Sequence, residues 1–304
     1  MTETMDTAGV EAGTSPLSRS AWDRVKLARH PDRPHTLDYV RELMTDFVEL
    51  HGDRTFGDDR ALIGGLAKFD GMTVMVIGHQ KGGNTKENLA RNFGMPRPEG
   101  YRKAVRLLHH AEKFAIPVVL LIDTPAADPG IGSEERGQAT AIAESLLTMA
   151  DLSVPSVAVV IGEGGSGGAL AISVADRILM LENAVYAVAS PEACAAILWK
   201  DSARAPEAAE TMRITADDLY GFGIVDEIIP ELIPASERPR EAIATTGQVL
   251  RRHLHEVVTA FPPGSVASIG PLREARYRKF RRIGAWSDWQ PDGIATDIFD
   301  PRSV

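Results

Sequence analysis

GEGGSGGALA, residues 162–171, holds five glycines in ten positions. An apolar run rich in β-branched residues, 154–161, leads into it, and small helix-compatible residues, 168–174, lead out. Strand, glycine turn and helix leave backbone N–H groups unpaired at the helix N-terminus, aimed at whatever sits there. Glycine lets that backbone approach a ligand with no Cβ in the way. The stretch predicts a site built of main-chain donors, suited to a phosphate or an oxyanion. Gly162, Gly164 and Gly167, with Glu182 further on, fit a dinucleotide fingerprint, although that fingerprint belongs to a first βα unit and this one lies mid-chain. A P-loop needs a Lys after its last glycine, and none follows. Two readings remain open beside these: a tight strand-to-helix turn with close backbone packing, or an oxyanion hole for an enolate or tetrahedral intermediate.

Outward from that turn the chain repeats one order. A continuous apolar strand is predicted over 117–122, followed by the turn-rich loop DTPAADPGIGSEERGQ and a helix over 134–149. Further strands are predicted over 154–161, 177–181, 185–188 and 224–229, with helices over 191–199 and 206–212. Upstream, apolar runs 61–69 and 72–80 flank an Asp70-Gly71 turn, a hairpin signal. The stretch 82–98 predicts a long loop with a short helical piece. A helix over 99–114 buries Ala104, Leu107, Leu108, Ala111 and Phe114, and one over 36–50, capped by Thr36, aligns Leu37, Val40, Leu43, Met44, Phe47 and Leu50. Strand, loop and helix in repetition predict an α/β domain with parallel strands and right-handed crossovers. Ligands of such sheets sit at the carboxyl ends of the strands. The loops 123–132 and 162–168 both leave such ends, and as sheet neighbours they would converge on one pocket. Downstream, a helix is expected over 241–258. The basic run REARYRKFRRIG, 273–284, reads as a solvated or subunit-contacting helix, with anion binding as the other reading.

Composition bounds the rest. The chain has 304 residues, 44% hydrophobic and 25% charged, an ordinary globular balance. A net charge of −9 argues against nonspecific nucleic-acid binding. No apolar run reaches the length of a membrane span, and the polar start, 1–20, reads as a disordered leader without a signal-peptide core, so a cytoplasmic location is expected. The only cysteine, Cys194 in EACAAIL, excludes disulfides and cysteine-based zinc sites and is expected to be a buried structural thiol. His109 and His110 are adjacent, and His253 and His255 are two apart, so neither pair shares a helix face and no metal is expected. Glu135 and Arg136 are expected to pair across their loop. Arg102 and Lys103 sit where a helix begins, which disfavours positive charge and favours a ligand or partner contact.

Six blocks carry a resemblance: ARHPDRPHTLDYV (28–40), GHQKG (78–82), RNFGMPRPEGYRKA (91–104), DTPAADPGIGSEERGQ (123–138), IGEGGSGGALA (161–171) and SPEACAAILWK (190–200). Together they resemble the α subunit of the carboxyltransferase component of bacterial acetyl-CoA carboxylase. The resemblance implies a crotonase/ClpP-like ββα superhelix: an N-terminal helical segment over 21–60, a carboxyltransferase core over 61–230, a C-terminal helical extension over 231–286 and an extended or disordered tail over 287–304. It implies transfer of a carboxyl group from carboxybiotin, on a biotin carboxyl carrier protein loaded by biotin carboxylase, to acetyl-CoA. It implies a β subunit with a four-cysteine zinc ribbon that binds the acyl-CoA. By resemblance, the N–H groups of Gly167 and Gly168 form the biotin-side oxyanion hole. Gly164, Gly165 and Ser166 shape the turn, and Gly130 and Gly132 form the other wall. Lys81, in GHQKG, reads from the residues alone as a holder of an anionic ligand group or, equally, as a surface lysine after a strand. The family usually reads DTPGAYPG where this chain has DTPAADPG, so Ala126 and Asp128 are expected to alter activity or specificity: Ala126 through strain if its φ is positive, Asp128 through charge near biotin. A specialised paralogue with another acyl acceptor fits the same blocks. The alternatives are a stand-alone crotonase-type acyl-CoA isomerase, hydratase or decarboxylase, and a non-catalytic assembly subunit.

Overall fold

The computed structural model describes residues 19–284. Residues 1–18 of the expected leader and the expected tail, 287–304, lie outside it. Ser20 caps α1 (Ala21–Ala28), its side chain accepting from the Asp23 N–H. His35, not Thr36, stands at the N-cap of α2 (Thr36–Leu43), where the Asp38 carboxylate accepts from the His35 N–H. The helix expected over 36–50 stops at Leu43, and β1 (Thr45–Glu49) takes its second half. The apolar spacing of TDFVEL suits a strand as well as a helix, and pairing decides between them. β1 runs antiparallel to β2 (Leu62–Phe69), with a bulge between Thr45 and Val48 where Asp46 has φ 54°. β2 and β3 (Met72–His79) form the expected hairpin, with Asp70 and Gly71 both at positive φ, as a type I′ turn requires.

α3 (Thr85–Ala90) and a 3-10 turn at Asn92–Gly94 occupy the expected loop. α4 (Pro98–Lys113) buries Ala104, Leu107, Leu108 and Ala111 but leaves Phe114 exposed just past its end. β4 (Val118–Thr124) is buried throughout. The helix expected over 134–149 is two helices, α5 (Ile131–Glu135) and α6 (Gln138–Asp151), separated at Gly137, whose φ of 83° no helix accommodates. Then come β5 (Ser156–Gly165), α7 (Ser166–Leu170), β6 (Arg177–Leu181), β7 (Val185–Ala187), α8 (Pro191–Trp199) and α9 (Ala205–Met212). The sequence reading omitted α10 (Ala216–Gly221), which starts at a capping box between Thr215 and Asp218. β8 (Glu227–Ile229), α11 (Pro239–Ala260) and α12 (Val266–Arg281) complete the described chain.

The strands lie in the order β1-β2-β3-β4-β5-β6-β8, antiparallel through β3 and parallel from there. On its edge away from β4, β5 serves two partners: Val157–Val160 pair with β6, and Glu163–Gly165 pair with β7. That division turns the chain away from a flat sheet just where the glycine stretch begins. The basic run is a solvated face only in part: Arg278, Arg281 and Arg282 are exposed, while Arg276 and Lys279 are buried. Arg276 of α12 is buried and makes a two-pronged bond to Asp176 at 2.9 and 3.0 Å while donating to the Leu152 carbonyl at 2.7 Å, and Lys279 pairs with Asp226. The run fastens α12 to the core.

Candidate active site at the glycine turn

β4 and β5 are neighbours, so the loops leaving their carboxyl ends meet as the topology requires. The contact is backbone on backbone. A Cβ at Gly165 would stand 1.8 Å from the Pro125 carbonyl oxygen, and one at Gly168 would stand 2.4 Å from the Ala127 nitrogen. Gly164 lies under the Tyr186 ring. Ser166 takes φ 56°, a costly conformation for a non-glycine residue and one that holds a sharp elbow between β5 and α7. The first turn of α7 has N–H groups with no helical acceptor, and no side chain caps them. Gly167 differs from its neighbours: the nearest atom to a Cβ there is an Ile142 methyl at 3.7 Å. Ser166 and Gly167 lie at the edge of an open groove of about 720 Å³ whose walls include the exposed side chains of Leu170, Val188, Ile197 and Leu198. Cys194 lines that groove and is half-buried rather than fully buried.

The Asp123–Gly132 loop brings its two unusual residues with it. Ala126 is not among the described residues with positive φ, so it carries no left-handed strain. Asp128 is half-buried and accepts from Ser133 Oγ at 2.5 Å, with Arg97 3.8 Å away. Burial would raise the Asp128 carboxyl, but the bond from Ser133, with Asn92 and Arg97 beyond it, holds it below the ordinary value. Its charge is tied to the start of α5. Gln138 Nε2 bridges the Asp128 and Pro96 carbonyls, which fixes this loop on the 91–97 segment. Gly130 and Gly132 are exposed, and the side chains nearest to them, Asp128 and Arg136, belong to their own segment.

Beneath the turn lies a buried ionic layer. Lys81 Nζ reaches Asp123 Oδ1 at 2.7 Å and Glu163 Oε2 at 3.0 Å, so its charge is engaged by the protein itself. Burial would lower the Lys81 ammonium, but the two carboxylates outweigh it and raise it. Asp123 also accepts from the Glu163 N–H at 3.1 Å and contacts His35 Nδ1 at 3.1 Å. Burial opposes its ionisation, yet Lys81 and His35 hold its carboxyl well below the usual range. Arg29 closes the layer on Glu163 at 2.6 Å. Asp123, Glu163 and Arg29 had no expected role from the sequence. Their signal was present: Asp123 and Glu163 are acidic residues that end otherwise apolar strands.

Two expectations fail on the pairing of these charges. Arg136 pairs with Glu99 at 2.5 Å and stacks on Phe56, and Glu135 is not its partner. Arg102 and Lys103 do not await a ligand. Arg102 bonds Asp53 at 2.8 Å, and Lys103 is buried against Asp58 at 2.5 Å and the Asp59 carbonyl at 2.8 Å. The 51–59 loop offsets the positive charge that a helix start disfavours. Among the described residues, no cluster of three or more His, Cys, Asp or Glu side chains could hold a metal ion, and no helix is long and apolar enough to cross a membrane.

Known proteins are similar to this chain in sequence and in fold. A family profile described as acetyl co-enzyme A carboxylase carboxyltransferase-like matches residues 14–284. The acetyl-coenzyme A carboxylase carboxyl transferase subunit alpha of Geobacter metallireducens is 54% identical over 270 residues, 88% of this chain and 83% of that protein. The subunit of the same name from Aquifex aeolicus is 55% identical over 268 residues, 88% of this chain and 81% of that one. Among solved structures, the transcarboxylase 12S core with methylmalonyl-coenzyme A bound superposes with a TM-score of 0.63 at 21% identity, over 79% of this chain and 44% of that one. The beta subunit of Pseudomonas aeruginosa geranyl-CoA carboxylase gives 0.57 at 17% identity, over 82% and 47%. The fold is the crotonase-like one that the sequence blocks implied.

Proposed function

The chain belongs to the acetyl-coenzyme A carboxylase carboxyltransferase-like family, and from that membership we propose a division of work at the glycine turn. The protein is the alpha-type subunit of a biotin-dependent carboxyltransferase that carboxylates acetyl-CoA to malonyl-CoA, the entry to fatty acid biosynthesis, and it acts within a cytoplasmic complex rather than alone. A beta-type subunit with a zinc ribbon supplies the acyl-CoA side. A biotin carboxyl carrier protein, loaded by biotin carboxylase, brings the other substrate.

Biotin on its carrier supplies the carboxyl group from a ureido nitrogen and takes the acyl α-proton in exchange. The residues present fit such a group: the helix start that no side chain caps begins at Ser166 and Gly167, which edge an apolar groove, and the nearby carboxylate of Asp128 is tied to Ser133. Negative charge that develops on oxygen during transfer needs fixed donors in a dry site. The N–H groups of Gly167 and Gly168 provide them. Gly164, Gly165 and Ser166 set the elbow that aims those donors, and Gly130 and Gly132 rim the opposite loop. Lys81 acts from below through Asp123 and Glu163, as a positioning residue. Ala126 and Asp128 shape the facing wall without strain or free charge.

The contact that carries this assignment is Gly168 against Ala126 and Ala127, which fuses the two strand-end loops into one wall beside the groove. The test is reconstitution of the full chain with a beta-type partner and biotinylated carrier, assayed against a panel of acyl-CoAs. Carboxyl transfer to acetyl-CoA is expected only with all components present. Turnover of an acyl-CoA by the isolated chain without biotin would assign it to the stand-alone crotonase class instead. Failure to associate with any beta-type partner at micromolar concentration would also overturn the proposal.

A further inference from the structure

A second pocket, of about 480 Å³, lies between α12 and the amino ends of β6 and β8. Its floor is formed by Asp176, Arg177 and Asp226, and one wall is apolar, with Val257, Phe261 and Pro271. The glycine turn leaves the carboxyl end of β5, which runs parallel to β6, so this pocket opens at the opposite end of the strands.

Its charges do not balance. Asp176 is consumed by Arg276 and by the N–H and hydroxyl of Ser156. Asp226 is consumed by Lys279 and the Ile178 N–H, and Glu274 pairs with Arg278 at 2.5 Å. Three carboxylates are thus matched by three cations. Arg177 and Arg282 also line the pocket and have no carboxylate partner among the described residues. Arg177 donates only to the Asp176 carbonyl, at 3.1 Å, and Lys279 Nζ lies 3.4 Å from that same oxygen. Two cations therefore converge on one neutral acceptor in a half-buried place. Burial first, and repulsion from Arg177 as well, lowers the Lys279 ammonium despite its bond to Asp226.

We propose that this pocket is an anion site, distinct from the glycine-turn site, for a phosphate-bearing small molecule held between the guanidinium groups of Arg177 and Arg282. Two uncompensated charges call for a dianionic group, which a phosphate ester is at neutral pH and a single carboxylate is not. Guanidinium forks match phosphate oxygens in pairs. The apolar wall gives the body of such a molecule a surface to lie on.

Calorimetric titration of the full chain with inorganic pyrophosphate tests this. Saturable one-to-one binding is expected, weakening as salt is added. Arg177→Gln and Arg282→Gln should each weaken it about tenfold, the usual scale for losing a charge-assisted contact. Lys86→Gln removes an exposed positive charge elsewhere and should leave binding unchanged. Arg282 is exposed, so its variant reports even if Arg177→Gln folds poorly. The proposal is overturned if no saturable binding is seen up to about 10 mM, a range that covers weak millimolar sites. Equal weakening by Lys86→Gln would overturn it too, since that marks general charge attraction.

Discussion

At Ala126 and Asp128, where the resemblance implied a glycine and an aromatic residue, the structure removes both physical reasons for concern. Ala126 has no positive φ, so Ala126→Gly relieves nothing and should lower stability by about 0.5–1 kcal/mol through the freer unfolded chain, readable as a lower urea midpoint. Asp128→Asn keeps an acceptor for Ser133 and removes the charge. Transfer by the reconstituted enzyme should stay unchanged, and an acceleration would show that the carboxylate opposes the reaction after all. The two central glycines separate cleanly. Gly168→Ala drives a Cβ into the Ala126–Ala127 backbone and should cost about 1–3 kcal/mol of stability. The variant keeps its N–H, but the shifted backbone carries that donor off its aim, so transfer should slow by about 100-fold, the scale seen when an oxyanion donor is lost. Gly167→Ala meets nothing nearer than 3.7 Å, so stability should hold while a raised KM for biotinylated carrier reports the methyl at the groove edge. The glycine roles were legible in sequence because glycine itself marks close backbone approach. The engagement of Lys81 was not, because its partners lie 42 and 82 positions away.

Among the elements, those the sequence placed correctly carry signals that do not depend on distant contacts. The Asp70-Gly71 turn dictates its hairpin, and the unbroken apolarity of 118–122 dictates a central strand. The errors fall where the local signal was ambiguous. Residues 45–49 satisfy helical and strand spacing alike, and only β2 decides between them. Gly137 splits one helical pattern into two helices, and its φ follows from the loop's attachment to Pro96 and Glu99, which local pattern does not reveal. α12 misled by composition: six Arg and Lys residues in the ten positions 273–282 suggest solvent, yet Arg276 is buried. Arg276→Ala leaves the Asp176 carboxylate buried without its cation, and such a loss costs about 3–5 kcal/mol. Urea unfolding should show that loss, and Arg276→Met combined with Asp176→Asn should recover much of it, because packing replaces the pair. Equal destabilisation by the single and double variants would mean that α12 is held by something other than this pair.

For the whole molecule, one ionic layer ties the N-terminal segment to the sheet. Arg33 makes a buried two-pronged bond to Glu231 at 2.9 and 3.0 Å and donates to the Ile161 carbonyl, Arg29 holds Glu163, and His35 holds Asp123. The six blocks that reveal the family include all of these residues except Glu231, but a motif names residues without saying what they touch. Fully buried His79 sits in the same layer, accepting weakly from the Asp123 N–H at 3.4 Å, near Asp123 and Lys81. Burial depresses its imidazole from 6.5 to about 4. As pH falls below about 6.5 the unfolded chain takes up a proton there and the folded chain does not, so stability is lost progressively from 6.5 down to about 4. The full effect approaches about 3 kcal/mol, at 1.36 kcal/mol for each pH unit of difference. Asp123 acts in a separate window: its carboxyl is depressed, so its contribution is intact above the ordinary carboxylate range and is lost only below it. Urea midpoints measured at pH 7, 5.5 and 4.5 should therefore fall steadily for the natural protein. His79→Asn keeps an acceptor but cannot titrate, so its profile should be distinctly flatter across that interval. Parallel profiles for the two proteins would place the acid sensitivity elsewhere in the layer.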